Sequence, residues 1–230
     1  QDATPSLNTS DTPLSHVPAH ETKPNWKSTN LGENTQRGST IQVGETLTVQ
    51  GAGTDMWQGY DSGRFVWKKT SGDYVFSAQI VAITDNSSLA TTGLLVKGVD
   101  FETGPGLLFG FLGSGELFLQ LRQPKQRLLQ LKRPKNSVTI VKRSGQPIRL
   151  PTHLKIIRRG SVFETSLSPD GKDWTPFAAC ELNVPAGNTV GFVVSAQELD
   201  TLATAKFASI RLQGAALTND VTDAHPLRRT

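Results

Sequence analysis

From Val49 to Gly63 the chain reads Val-Gln-Gly-Ala-Gly-Thr-Asp-Met-Trp-Gln-Gly-Tyr-Asp-Ser-Gly, and within it Asp55, Trp57, Tyr60 and Asp61 gather two aromatic faces and two carboxylates in a few residues. An aromatic face offers apolar contact to a sugar ring, and neighbouring polar groups fix its hydroxyls. The stretch therefore reads as a ligand-binding loop. Trp67 and Trp174 read as packing residues, one inside a strand-like run and one closing an Asp-Gly turn. Asp55, Asp61, Asp170 and Asp173 are also the oxygens a calcium ion would take, although Asp and Gly in turns ordinarily serve the backbone. No cofactor is expected, with calcium as the alternative.

Other chemistries lack their parts. A retaining glycosidase needs two carboxylates about 5–5.5 Å apart, which alternate strand positions supply. No Glu-x-Asp-x-x-Glu string exists, and the nearest pairs, Asp100 with Glu102 and Asp170 with Asp173, fall in turns. His16, His20, His153 and His225 show no metal-ligand clustering, and no Gly-x-Ser-x-Gly elbow surrounds a serine. The glycines around Gly104 and Gly113 lack the Lys-Ser/Thr ending of a phosphate loop. Cys180 is alone, so neither an internal disulfide nor a cysteine-rich zinc site is available. The chain reads as a non-enzyme.

Charge is distributed unevenly. Between Leu117 and Phe163 there is no acidic residue and there are twelve basic ones, from Arg122 and Lys125 through Arg127, Lys132, Arg133, Lys135, Lys142 and Arg143 to Arg159. The rest of the chain holds twelve basic against twenty acidic residues, a formal charge of −8 hidden beneath a net +4. Lys125, Arg127, Lys132, Arg133, Lys135, Lys142 and Arg143 are the candidates for a polyanion or partner surface, either an acidic polysaccharide or the acidic region of a second copy. Nucleic acid is disfavoured, because Phe118 and Phe163 are the block's sole aromatics and no recognised module is present.

The elements that would hold these residues are strands. Short β-branched and aromatic runs broken by Gly, Asn, Asp and Pro predict strands at 46–49, 64–68, 74–83, 93–97, 107–111, 116–121, 137–142, 153–158, 162–166, 189–195 and 206–213. Period-two alternation is clearest in Tyr74, Phe76, Ala78 and Ile80, and no convincing 3.6-residue stripe appears. The fold class that follows is all-β, two antiparallel sheets packed face to face. Residues 1–24 read as a polar arm, 25–213 as one sandwich domain and 214–230 as a polar tail. No apolar run is long enough for a membrane-spanning helix. The arm and a first residue other than Met suggest a secreted or envelope-exterior protein with its signal peptide removed. Asn8 and Asn86 fit the glycosylation acceptor pattern.

Seven phrases, in order, resemble a bacterial family of concanavalin-like jelly-roll domains of unknown function, related to laminin-G and glucanase folds and labelled as a "regulation of enolase" type. They begin with Val49 to Trp57, Phe65-Val66-Trp67, Ser71-Gly72-Asp73-Tyr74 and Gly93-Leu94-Leu95-Val96-Lys97. The series continues with Leu154 to Gly160, Ser168-Pro169-Asp170-Gly171-Lys172-Asp173-Trp174 and Gly191 to Ser195. The resemblance spans about Trp26 to Leu212 and implies the sandwich and, less directly, a habit of recognising carbohydrate; it does not imply catalysis. It departs where members carry Lys before Gly93 and Arg at the position of Lys97, since this chain has Thr92 and Lys97. With Lys97 and Arg122 added, the expected ligand-binding set is Asp55, Trp57, Tyr60, Asp61, Lys97 and Arg122. The leading expectation is an exported, non-catalytic carbohydrate-binding module suited to acidic glycans. A structural subunit of an extracellular assembly and a glycoside hydrolase are the alternatives.

Overall fold

The computed structural model describes residues 26–32, 36–54, 56, 61–84, 87–101, 104–123 and 137–214, and these form two antiparallel seven-stranded sheets with no helix among them. Sheet I contains β1 (Lys27–Leu31), β4 (Gly63–Ser71), β13 (Gly187–Ser195), β6 (Thr91–Lys97), β7 (Gly106–Leu112), β8 (Glu116–Gln123) and β9 (Ser137–Pro147), in that spatial order. Sheet II runs β12 (Thr175–Glu181), β11 (Val162–Ser168), β10 (Thr152–Arg159), β5 (Tyr74–Thr84), β14 (Glu198–Gln213), β3 (Thr46–Gly53) and β2 (Thr40–Val43). The expected arm and the tail beyond Gly214 lie outside the described residues, as do Asn8 and Asn86.

The core between the sheets follows from alternation. Tyr74, Phe76, Ala78 and Ile80 of β5 point inward and meet Leu117, Leu119 and Leu121 of β8 and Val190, Phe192 and Val194 of β13 in one apolar cluster. Phe192 is its aromatic centre, with Phe207 at 4.5 Å, Trp26 at 5.1 Å and Phe76 at 5.4 Å between ring centroids.

All eleven expected strands are present, and three more were not anticipated. The unanticipated strands β1, β2 and β12 each lie at a sheet edge. An edge strand is less buried and lacks the apolar signature of a covered one, and β1 and β2 each bury at most one residue fully.

A second departure concerns sheet I. The alternation of Phe118, Gln120 and Arg122 with the core leucines of β8 suggests a buried and a solvated face. Both faces are buried across β6, β7, β8 and β13. The outer face, turned away from sheet II, carries its own apolar cluster of Leu31, Met56, Phe65, Leu95, Leu108, Leu112, Phe118 and Val193, with Trp67 and Phe101 packed at its margin.

Because Phe192 contacts three rings from three other parts of the chain, Phe192→Ala is expected to lower stability by about 3–5 kcal/mol. Chemical denaturation checks this, and a loss under about 1 kcal/mol would show the centre of the core lies elsewhere.

Candidate functional site

Antiparallel register places Lys97, Gly106 and Arg122 side by side on β6, β7 and β8. All three face outward from sheet I. A Cβ on Gly106 would sit 3.0 Å from Lys97 Cδ and 3.7 Å from its Nζ, so the bare glycine is what lets the lysine lie across β7 towards Arg122.

Asp61 reaches these cations from the connection between β3 of sheet II and β4 of sheet I. That connection is pinned at its neck. Thr54 N–H donates to Ser62 Oγ at 3.1 Å, and Ser195 Oγ donates to the Gly53 carbonyl at 3.4 Å. Gly53 has φ +136°, and a Cβ there would lie 2.3 Å from the Ser62 carbonyl oxygen, so no other residue fits without rearrangement. From the neck, Asp61 Oδ2 accepts from Lys97 Nζ at 2.5 Å and Oδ1 faces Arg122 Nη2 at 2.6 Å. Alongside, Gln120 Nε2 donates to the Met56 carbonyl at 2.6 Å.

The three charged residues are 6%, 0% and 3% exposed for Asp61, Lys97 and Arg122, so the ion cluster lies inside the protein. One carboxylate faces two cations, which leaves a formal charge of +1 away from water. Such a cluster persists only when its partners are well placed, because each ion forfeits several kcal/mol of hydration. The cavity beside it, lined by Met56, Leu95, Leu108 and Gln120 as well as the three ions, measures about 10 Å³. A water-sized space admits no sugar, so the cluster anchors the β3–β4 connection and any larger ligand meets the rim.

The rim has unused hydrogen-bonding capacity below an aromatic margin. Trp67 and Gln120 share one row across five strands, Trp67–Gly191–Leu95–Leu108–Gln120, a span of ~19 Å at about 4.8 Å per strand. Trp67 Nε1 and Gln120 Oε1 are buried and have no hydrogen-bond partner among the described residues. The Trp67 ring is edge-on to Phe101 at 5.3 Å, with the Lys27 ammonium 5.5 Å from its centroid.

The expected site residues therefore separate into groups. The structure brings Asp61, Lys97 and Arg122 together, but buried rather than displayed at the surface, with the one carboxylate shared by both cations. Asp55, Trp57 and Tyr60 lie outside the described residues, as do Lys125, Arg127, Lys132, Arg133 and Lys135. Lys142 and Arg143 are exposed on β9, where Lys142 Nζ donates to the Phe177 carbonyl at 2.8 Å and Arg143 faces Glu116 at 3.5 Å. Among the described residues no three acidic, histidine or cysteine side chains converge on a metal-sized space. Gln120 and the Met56 carbonyl went unrecognised, although Gln120 two residues before Arg122 in a leucine-rich strand marks a polar line on one strand face.

The Ser168–Trp174 turn is built by the carboxylate of Asp170. It accepts from Lys172 N–H at 2.9 Å, Asp173 N–H at 3.0 Å and Ser168 Oγ at 2.9 Å. These bonds, the two backbone donors first, hold its carboxyl down at about 2. Trp174 packs against His153 and carries the Lys155 ammonium 3.9 Å from its centroid. Burial raises the Cys180 thiol to about 11, so the lone cysteine is protonated at neutral pH.

Two outcomes are expected. Asp61→Ala strands two buried cations and should cost about 3–5 kcal/mol in urea denaturation, whereas joint Asp61→Leu, Lys97→Met and Arg122→Met should recover most of that loss. A single variant as stable as the parent would refute the anchor. The depressed Asp170 carboxyl stabilises the fold fully above its ordinary 3.8, and that contribution disappears as pH falls through about 2. An NMR titration should find the midpoint near 2, and Ser168→Ala should move it upward; an unmoved midpoint would exclude the hydroxyl as a cause.

The chain matches no family model and no curated protein sequence. Among solved structures it is similar to a functionally unknown protein from Saccharomyces cerevisiae at TM-score 0.59 and 17% identity, covering 84% of this chain and 97% of that one. It is also similar to the carbohydrate binding module CBM66 from Bacillus subtilis, at TM-score 0.50 and 16% identity over 76% and 91% of the two chains. A GH43 protein from Bacillus licheniformis matches at TM-score 0.50 and 11% identity, over 76% of this chain and 34% of that one. Likeness at these identities is one of fold, and the fold is the concanavalin-like jelly-roll sandwich.

Proposed function

We propose that the protein is an exported, non-catalytic carbohydrate-binding module for acidic glycans, and that the β3–β4 connection tied to sheet I, together with the half-buried Trp67 margin, is its binding surface. The observation that carries this reading is the fastening of that connection. The segment holding Trp57 and Tyr60 starts at Met56, whose carbonyl is bonded to Gln120, and ends at Asp61, clamped by Lys97 and Arg122. A loop whose ends are fixed on a rigid sheet loses little entropy on binding, which favours recognition of a weakly held ligand such as a sugar.

Three of the phrases that resemble the bacterial concanavalin-like family support the same surface. Phe65–Trp67, Gly93–Lys97 and Gly191–Ser195 lie on β4, β6 and β13, which are adjacent in sheet I. Of their outward residues, Phe65, Leu95 and Lys97 form the buried floor and Trp67 the partly exposed margin. Self-association is the second reading, favoured by the edge strand β2, where Ile41 and Val43 are 52% and 72% exposed.

Retardation in native gels containing polygalacturonate, heparin or neutral xylan tests the reading. Polygalacturonate or heparin is expected to slow the chain more than xylan, with the effect shrinking at high salt. Trp57→Ala and Tyr60→Ala should each weaken binding about tenfold, the worth of one lost aromatic contact. Absence of retardation in every gel, or loop variants that bind like the parent, would reject the module. Release of reducing sugar would replace it with the hydrolase.

A further inference from the structure

A groove of about 440 Å³ opens apart from the ion cluster, and none of Asp61, Lys97 and Arg122 lines it. Trp26, Gln42, Glu45, Lys68, Ser209 and Arg211 are among the residues that line it. Its origin is an irregularity in sheet II. The ladder between β14 and β3 ends at Phe207 opposite Leu47, because β3 begins at Thr46 after the Gly44–Glu45 turn. β14 continues to Gln213 along β5, so its last residues have a strand on one side and the groove on the other.

The β14–β5 ladder is itself interrupted there. Ala208 pairs with Gln79 and Arg211 with Ser77, so Ser209 and Ile210 stand opposite the single Ala78, a bulge of one extra residue. Ser209 adopts φ +49°, an uncommon conformation for a residue with a side chain. Bulges re-aim backbone and side chains, and backbone held in a sparsely populated region is found at ligand sites more often than elsewhere.

The groove's chemistry is that of an anionic sugar site. The half-buried Trp26 ring provides an apolar wall, fixed from behind by Phe192 and Phe76. Lys68 holds its ammonium 4.8 Å from the Trp26 centroid, and no carboxylate pairs with it among the described residues. Arg211 is exposed and likewise unpaired with any described carboxylate. Against these two cations stands one acid, Glu45, able to accept from hydroxyls, and Gln42 adds an amide. The volume suits one or two sugar rings rather than a long chain.

We infer that this groove is a second binding site, separate from the outer face of sheet I, for a sugar residue bearing a carboxylate, with Lys68 and Arg211 receiving the carboxylate and Trp26 the ring. It depends neither on Asp61 nor on the β3–β4 connection.

The test is an NMR titration of the ¹⁵N-labelled full chain with galacturonate and, separately, galactose. Galacturonate is expected to shift the Trp26 indole N–H and the amides of residues 209–212, and galactose to need at least tenfold higher concentration. Lys68→Gln and Arg211→Gln should each weaken galacturonate about tenfold, and Arg149→Gln, an exposed cation elsewhere, should change nothing. Trp57→Ala should also leave these shifts intact. Silence at Trp26 and 209–212, or full affinity in both Lys68→Gln and Arg211→Gln, overturns the inference. Shifts confined to the Trp67 indole overturn it too, while leaving the outer-face reading standing.

Discussion

The middle of sheet I has no solvent face, and most of the molecule's polar arrangement answers to that. A sheet buried on both sides must be apolar on both sides or must pair every polar group it carries. Across β6, β7 and β8 the inner positions are filled by Leu94, Val96, Leu107, Phe109, Leu119 and Leu121. On the outer positions Leu95, Leu108 and Phe118 share the surface with Lys97, Gln120 and Arg122. Those three polar side chains set the position of the β3–β4 connection, because its Asp61 pairs with Lys97 and Arg122 and its Met56 carbonyl accepts from Gln120 Nε2. A single crossing between the two sheets is thereby tied to the face it covers.

The fold was legible because alternation survives in any strand with one face in the core. Tyr74 to Ile80 shows it plainly, and so does Leu117 to Leu121. What escaped was of two kinds. The edge strands β1, β2 and β12 have too little buried surface to impose a pattern on Lys-Ser-Thr-Asn-Leu or Thr-Ile-Gln-Val. The second buried face of sheet I escaped for the opposite reason. Gln120 and Arg122 look solvated in a one-dimensional reading, and the partners that allow their burial come from residues about sixty positions earlier in the chain. Asp61, Lys97 and Arg122 could be chosen as chemically capable side chains, but their pairing is a property of strand register and of a glycine at 106.

Within the run of twelve basic residues without an acidic one, strand pairing redistributes the charge of the members that are described. Where its members are described, several are engaged internally or with acids from outside the run. Arg158 is buried and donates to the Val184 and Pro185 carbonyls, Arg159 pairs with Glu164, and Arg143 faces Glu116. Lys142 and Lys155 rest over the rings of Phe177 and Trp174. Antiparallel pairing brings residues distant in sequence side by side, so a same-sign block is interleaved with other signs once folded. Potential at a surface depends on what remains after that interleaving and on distance within the Debye length.

Regularity and recognition compete in such a sandwich. A perfect ladder uses every backbone group, and flat alternation gives a face of uniform texture with nowhere for a ligand to be oriented. Two of the places where the described residues collect mixed chemistry are places where regularity lapses. One is the bare Gly106 that opens room for a lysine to cross a strand; the other is the stretch of β14 that outruns β3 and bulges away from β5 at Ser209. Neither lapse breaks the core, since Leu212 still packs against it and the strands around Gly106 remain fully paired. An all-β scaffold can therefore acquire a site by losing one side chain or adding one residue to a strand, changes too small to disturb the periodicity from which its fold is read.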